Sequence, residues 1–318
     1  MKKKPFLFFF VFPVLALFFV ILPAITILVY NSRFHVRFET DPLCAFHAEQ
    51  FENLTVETCT FESNHGQKLA GYKYQKQHSE NTAVPNGVVV IAHGFGGGGH
   101  NLYMDVADYF VSNNYLVFCY DATGNDASEG DVIGGFPQGI IDLDHAITYV
   151  KTQEEYQNLP IMLFGHSWGA YSVGNVLNFH PDVSAVIMVA GFDNSAALIK
   201  EYGREFAGEA VQFLMPYVKF YELLKFGKYA RSSAIEGFEN STADIMILHS
   251  SDDKTVPASC GYDIFYEKYQ TNSRFHFIRF EARGHGKIYY TKDSNQYVRK
   301  QDTELMQQML QFYLQSVN

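Results

Sequence analysis

Residues 161–170 read IMLFGHSWGA: four apolar residues, then Gly165-His166-Ser167-Trp168-Gly169, then Ala170. The apolar run is short and uncharged, as a strand buried on both faces requires. The residues that follow, WGAYSVGNVLNFH, recur with helical spacing. G-x-S-x-G between a strand and a helix reads as a sharp turn that lifts a serine hydroxyl above the edge of a sheet. Glycines two places before and two after Ser167 remove the Cβ atoms that would collide in such a turn. The hydroxyl then stands at a helix N-terminus, where developing negative charge is favoured. Ser167 is the candidate nucleophile.

Working outward, the same texture repeats. GVVVIAHG (87–94), YLVFCYDA (115–122), VSAVIMVAG (183–191) and ADIMILHSS (243–251) are further short apolar runs. Helix-period segments lie between them: LYMDVADYFVSN, GIIDLDHAITYVKT, SCGYDIFYEKYQ and, at the end, DTELMQQMLQFYLQS. Alternation of this kind predicts a mostly parallel, doubly wound α/β sheet with helices on both faces. Ahead of it, VETCTFES and KLAGYKYQK alternate in polarity around NHGQ, the pattern of an antiparallel hairpin. One interval breaks the rhythm, from about 192 to 242. It is rich in aromatic residues (Phe206, Phe213, Tyr217, Phe220, Tyr221, Phe226, Tyr229) and reads as an inserted helical cap whose aromatic residues pack as amphipathic helices do. Such a cap covers the edge of the sheet where these folds hold their ligands.

The first 31 residues are of another kind. Lys2, Lys3 and Lys4 precede a run without charge from 5 to 30, long enough to cross a bilayer that needs about 20 residues. A secretory leader has a shorter apolar core and a small-residue cleavage site, and neither is read here, so an uncleaved transmembrane anchor is expected, with a cleaved or lipidated precursor as the alternative. The lysines favour a cytoplasmic N-terminus with the remaining chain on the far side. Expected organisation is therefore a tip and anchor over 1–31, a stalk and lead-in over 32–57, and one domain over 58–318. A cut after residue 31 is expected to release that domain in active form.

The formal charge is −10, and the three lysines at the start leave −13 for the remainder. That balance excludes nucleic acid as a partner and a strong electrostatic grip on anionic lipid. Cys44, Cys59, Cys119 and Cys260 form no C-x-x-C, and no residue cluster reads as a metal site. Cys44 and Cys59 are the pair placed to bond if the domain is extracytoplasmic. Cys119 reads as a core thiol.

A serine needs a base, and the base an orienting acid. Downstream of the cap, LHSSDDKTVP carries Asp252 and Asp253 at a strand end, and EARGHGKIYY places His285 between two glycines after the next strand. The order Ser, acid, His is the one this strand–turn–serine architecture uses. Together with HGFGG and YDATGNDASEG, these motifs resemble the α/β-hydrolase superfamily, and within it the monoglyceride lipase, lysophospholipase and serine aminopeptidase-like group. The likeness covers residue 59 to the C-terminus. Relatives commonly carry H-G-x-x-D-x-x-V-P around the acid. His249 to Pro257 fits that pattern with Ser250 in place of its glycine, which makes Asp253 the acid, Asp252 its rival and Asp193 a third candidate.

The resemblance also gives a reading of AHGFGGGGHN (92–101). Acyl transfer needs two backbone amides aimed at an oxyanion. These would be the N–H of Trp168, next to the serine, and that of Phe95 in the glycine loop, with His93 supporting the loop. A rival exists: Gly94, Gly96 and Gly99 spell G-x-G-x-x-G, Asp121 stands where a ribose-binding acid would, and Tyr221 and Lys225 form Y-x-x-x-K. A short-chain dehydrogenase would want a serine a dozen residues before that tyrosine, where Gly208 and Glu209 stand. It would also leave Ser167, Asp253 and His285 without a role. The expectation is thus a membrane-anchored serine hydrolase without cofactor, acting on a small-molecule acyl ester of lipid type such as a monoacylglycerol or lysophospholipid. Alternatives are an amidase or aminopeptidase using an acid of the cap (Glu201, Glu205, Glu209 or Glu222), an acyltransferase, or a silent binding protein of the same fold.

Overall fold

The computed structural model describes residues 11–77, 84–286, 288–295 and 297–317. The three N-terminal lysines, on which the expected orientation rests, lie outside them. Eight strands form one sheet: β1 (Leu54–Glu62), β2 (Lys68–Lys76), β3 (Val88–Ala92), β4 (Leu116–Tyr120), β5 (Ile161–His166), β6 (Ala185–Val189), β7 (Asp244–Ser250) and β8 (Phe275–Phe280). Their order is β1-β2-β4-β3-β5-β6-β7-β8. The β1–β2 hairpin runs antiparallel and joins β4 antiparallel; every other neighbour pair is parallel.

The helices are α1 (Val11–Phe34), α2 (Met104–Ser112), α3 (Pro137–Thr152), α4 (Trp168–Val176), α5 (Ser195–Ala207), α6 (Met215–Phe226), α7 (Ala234–Asn240), α8 (Tyr262–Tyr269) and α9 (Thr303–Gln315). The sheet is apolar on both faces because both are covered. Val88 and Val90 pack with Ile140, Val173 and Phe265 of α3, α4 and α8, whereas Val89 and Ile91 pack with Val106, Phe110 and Met309 of α2 and α9. Successive strand residues thus feed alternate cores, as the two-residue period of a strand dictates.

Helices α5, α6 and α7, joined by 3₁₀ turns, fill the interval between β6 and β7 as the expected cap. Leu198, Val211, Met215 and Val218 join the main core from its inner face, and Phe226 is buried too. The aromatic packing reading holds only in part. Phe226 is buried and Tyr221 and Tyr229 pack against the core, but Phe206, Phe213 and Phe220 are 75%, 61% and 60% exposed. They lie on the outer side of the cap, and the Arg33 guanidinium at the end of α1 sits over the Phe206 ring, 5.5 Å from its centroid.

Helix α1 is long and apolar enough to cross a membrane. Its last turns do not stand free: Tyr30 and Phe34 are buried in the main core. The segment after it, expected as a stalk, lies against the domain as a strap. Phe34 O and Val36 O accept the amides of Gly134 and Ile133, and Phe38 exchanges main-chain bonds with Gly124 and Asp126, all at 3.0 Å. Contacts therefore cross the boundary expected at residue 31. Cys44 and Cys59 do not pair; all four cysteines are free thiols.

Candidate active site

Ser167 caps α4 in the left-handed region, with φ 57° and ψ −114°, a conformation costly for any residue with a side chain. The flanking glycines have measurable reasons. A Cβ on Gly165 would stand 2.3 Å from Gly169 O, and one on Gly169 would stand 1.9 Å from Ala92 O. The turn is wedged between its own helix and β3, and only bare backbone fits. The Ser167 amide donates to Val189 O at 2.8 Å, tying the turn to β6. Ser167 itself is 8% exposed.

Asp253 and His285, from the loops after β7 and β8, meet at this edge. His285 Nδ1 lies 2.7 Å from Asp253 Oδ2. A carboxylate accepts, so Nδ1 carries a ring proton, and in the neutral ring that tautomer leaves the lone pair on Nε2. The other oxygen, Oδ1, accepts the amides of Thr255 and Val256 at 2.8 and 2.9 Å. Burial works against charge on Asp253, but the hydrogen bond and charge of His285 and the Val256 amide outweigh it and hold the carboxyl below its ordinary value. No hydrogen bond joins Ser167 Oγ to His285 among the described residues, and such contacts often tighten only when substrate is bound.

The rival acids are engaged elsewhere. Asp252 Oδ1 accepts from Ser250 Oγ at 2.6 Å and from the Gly284 amide at 2.8 Å, so it holds the loop that carries His285. Asp193 accepts the Ile235 amide at 3.0 Å through Oδ1, while its main-chain oxygen takes the Ala234 amide; it secures the start of α7.

His166 and His93 tie the other loops down. His166 Nε2 lies 3.0 Å from His285 O, which can only accept, so Nε2 is protonated and Nδ1 faces the Tyr103 hydroxyl at 3.0 Å. That hydroxyl receives the Gly94 amide. Burial, then the facing His285, push the His166 pKa down to about 3, and it stays neutral. His93 donates from Nδ1 to Gly94 O and accepts the Ala122 amide at Nε2. The supporting role expected of His93 matches this geometry. The link through His166 and Tyr103 carried no sequence signal beyond the position of His166 beside the serine.

Phe95 lies in the glycine loop with its ring 5.7 Å from that of Trp168, and the Trp168 indole is core, donating to Phe136 O at 2.8 Å. Neither main-chain amide has a partner among the described residues. Asp121 is fully buried and accepts from Tyr72 Oη at 2.8 Å and the His100 amide at 2.9 Å; a Cβ on Gly99 would lie 1.9 Å from its carboxylate. Asp121 braces this loop and is closed to a ribose. Tyr221 bonds Asn31, and Lys225 bonds Gly134 O, which removes the dehydrogenase pair. No group of three metal-ligating side chains occurs among the described residues.

Two adjoining cavities, about 520 and 460 Å³, lie between α5 and α6 and share Asn194, Ala196 and Lys219. Neither touches Ser167, Asp253 or His285. Convergence of side chains, rather than cavity size, identifies the candidate site.

A mostly parallel eight-stranded sheet in this order, with the sharp serine turn after β5 and a cap between β6 and β7, is the α/β-hydrolase fold. The family model described as serine aminopeptidase, S33, matches residues 83–220. Human monoglyceride lipase is 31% identical over 91 residues, a match that spans 28% of this chain and 29% of that protein. Among solved structures, the Pyrococcus furiosus esterase Pf2001 superposes with a TM-score of 0.61 at 16% identity, covering 83% of this chain and 92% of that one. The Pyrococcus horikoshii acylaminoacyl peptidase gives 0.56 at 14% identity, over 85% and 43%. Est1E of Butyrivibrio proteoclasticus, solved with ferulic acid, gives 0.58 at 16%, over 81% and 99%.

Proposed function

We propose that the chain is a membrane-anchored serine hydrolase that cleaves a carboxylic ester of lipid type. The observation that carries this reading is the 2.7 Å contact between Asp253 and His285 at the sheet edge where Ser167 is held in its strained turn. Ser167 Oγ attacks the ester carbonyl while His285 Nε2 takes its proton, and Asp253 holds the imidazole in the tautomer that leaves Nε2 free. The tetrahedral oxyanion sits between the amides of Phe95 and Trp168, an interaction worth about 3 kcal/mol per donor in such sites. Collapse passes the proton to the leaving alcohol and leaves an acyl-enzyme. Water, deprotonated by His285, then releases the acid and restores Ser167. Every proton has a donor and an acceptor among these groups.

The ester reading is favoured over the aminopeptidase one by Glu222, the buried acid of the cap. Its Oε1 already accepts from Tyr30 and Ser195 at 2.9 and 2.6 Å, so it is committed within the protein rather than held open for a substrate ammonium. The apolar α1 helix and the likeness to monoglyceride lipase support a substrate drawn from lipid. The test is fluorophosphonate labelling of membranes carrying wild type or Ser167→Ala, beside a series of p-nitrophenyl esters of rising chain length. Labelling lost in the variant, with turnover of the esters, is expected. A folded wild type that neither labels nor turns over points instead to a silent binding protein.

A further inference from the structure

The glycine loop is anchored at Gly94 and Gly99, but its middle lacks main-chain support. None of the four amides from residue 95 to residue 98 donates a main-chain hydrogen bond among the described residues. Gly96 and Gly97 take φ values of 77° and 97°, and nothing lies within 4 Å of a Cβ built on Gly97. What fixes this stretch is the Phe95 ring. Four rings surround it edge-on: Phe34 at 5.8 Å, Phe38 at 5.3 Å, Phe136 at 5.5 Å and Trp168 at 5.7 Å between centroids. Two of the four, Phe34 at the end of α1 and Phe38 in the strap that follows, come from outside the sheet and its covering helices. Phe38 also lies 3.6 Å from where a Cβ of Gly96 would stand, and Thr40 Oγ1 accepts the Gly99 amide at 3.2 Å.

The strap is in turn held from both ends. Arg37 Nη1 donates to Ser128 O and Gly130 O, both at 2.9 Å. Tyr30 is pushed into the cap, where its hydroxyl donates to Glu222; a Cβ on Gly135 would come within 2.1 Å of that hydroxyl. Tyr221 of α6 donates to Asn31 at 3.0 Å. Residues 30–40 thus bridge the cap and the glycine loop.

We infer that Phe34 and Phe38 are positioning residues for the Phe95 amide, and that the end of α1 with its strap is a working wall of the active site rather than a removable tether. The inference rests on the reading above, in which that amide receives the oxyanion. An aromatic edge contact is weak singly, about 1 kcal/mol, but here four of them act on a stretch, residues 95–98, whose amides make no main-chain hydrogen bond among the described residues. Misplacing an oxyanion donor by about 1 Å is expected to slow acylation by about tenfold to a hundredfold.

The experiment uses the full chain in detergent. Wild type, Phe34→Ala, Phe38→Ala and Phe38→Tyr are titrated with a fluorophosphonate, and turnover of p-nitrophenyl butyrate is expressed per titrated site. Loss of about tenfold or more in kcat per site for both alanine variants, with KM within about twofold and recovery in Phe38→Tyr, is expected. A merely structural role lowers Tm and the fraction of sites titrated but leaves turnover per site unchanged, and that result overturns the inference. Should Phe34→Ala fail to fold, Phe38→Ala, at a half-buried position, decides alone. A wild type that does not label removes the hydrolase reading and the inference with it; a wild type that labels beside unaffected variants removes only the inference.

Discussion

The imidazole of His166 donates from Nε2 to the main-chain carbonyl of His285 at 3.0 Å. The residue just before the candidate nucleophile thereby fixes the backbone of the candidate base, across 119 positions of sequence. Its pKa, about 3, keeps the ring neutral and the bond intact through the working range of pH. His166→Phe keeps the bulk and loses both hydrogen bonds. We expect kcat to fall by about tenfold with little change in KM, because the His285 loop loses its register with Ser167. Steady-state kinetics on a short soluble ester decide it, and an unchanged kcat in the folded variant sinks the idea.

The two neighbouring acids differ in what they hold. Asp253→Asn alters the partner of His285 and is expected to cost about 10⁴ in kcat, as loss of the orienting carboxylate does in a serine triad. Asp252→Asn keeps an acceptor for the Gly284 amide and should cost less than about tenfold. The reverse order in kcat would move the acid by one residue.

Gly169→Ala and Gly97→Ala separate steric need from conformational need. The first places a methyl 1.9 Å from Ala92 O and can be accommodated only by shifting β3, at about 3 kcal/mol or more. The second meets open space and pays only for its positive φ, about 1 kcal/mol. Denaturant midpoints in detergent should rank them so; equal losses would mean that the turn yields more easily than its geometry implies.

Glu222 gives stability a pH dependence of defined sign. Burial pushes its pKa up to about 7 from 4.5, despite the hydrogen bonds from Ser195 and Tyr30 and the charge of Lys225. The folded state therefore holds a proton that the unfolded chain releases. That stability is complete below about pH 4.5 and is lost as pH rises towards 7, on the order of 3 kcal/mol at most. Glu222→Gln should flatten this stretch of the curve in chemical denaturation followed from pH 4.5 to 7.5. Parallel curves for variant and wild type would show that the acid is already ionised in the fold.

Strands β3 to β7 were legible because each is a short apolar run, and Val88 to Ile91 have no polar face to confuse the period; β1 and β2 were legible from their alternation instead. The sharp turn at Ser167 was legible from Gly165 and Gly169, although only the Gly165 collision, with Gly169 O, is local in sequence; that of Gly169 is with Ala92 O of β3. The choice of Asp253 over Asp252 came from the resemblance, and spacing alone did not separate them. What stayed hidden was long-range. Phe34 and Phe38 sit in a stretch that reads as a stalk, and only the folded chain brings them to Phe95. Phe206, Phe213 and Phe220 carry a helical aromatic pattern that says nothing about which side of the cap faces the sheet.

Trp168 is the single tryptophan of the chain, buried, bonded through Nε1 to Phe136 O, and adjacent to Ser167. The protein thus carries its own optical reporter at the position where chemistry is proposed. Acylation of the serine, movement of the Phe95 ring or withdrawal of α1 from the cap would each alter the surroundings of one indole. Its emission can be followed without a label, against a background of tyrosines that absorb at shorter wavelength.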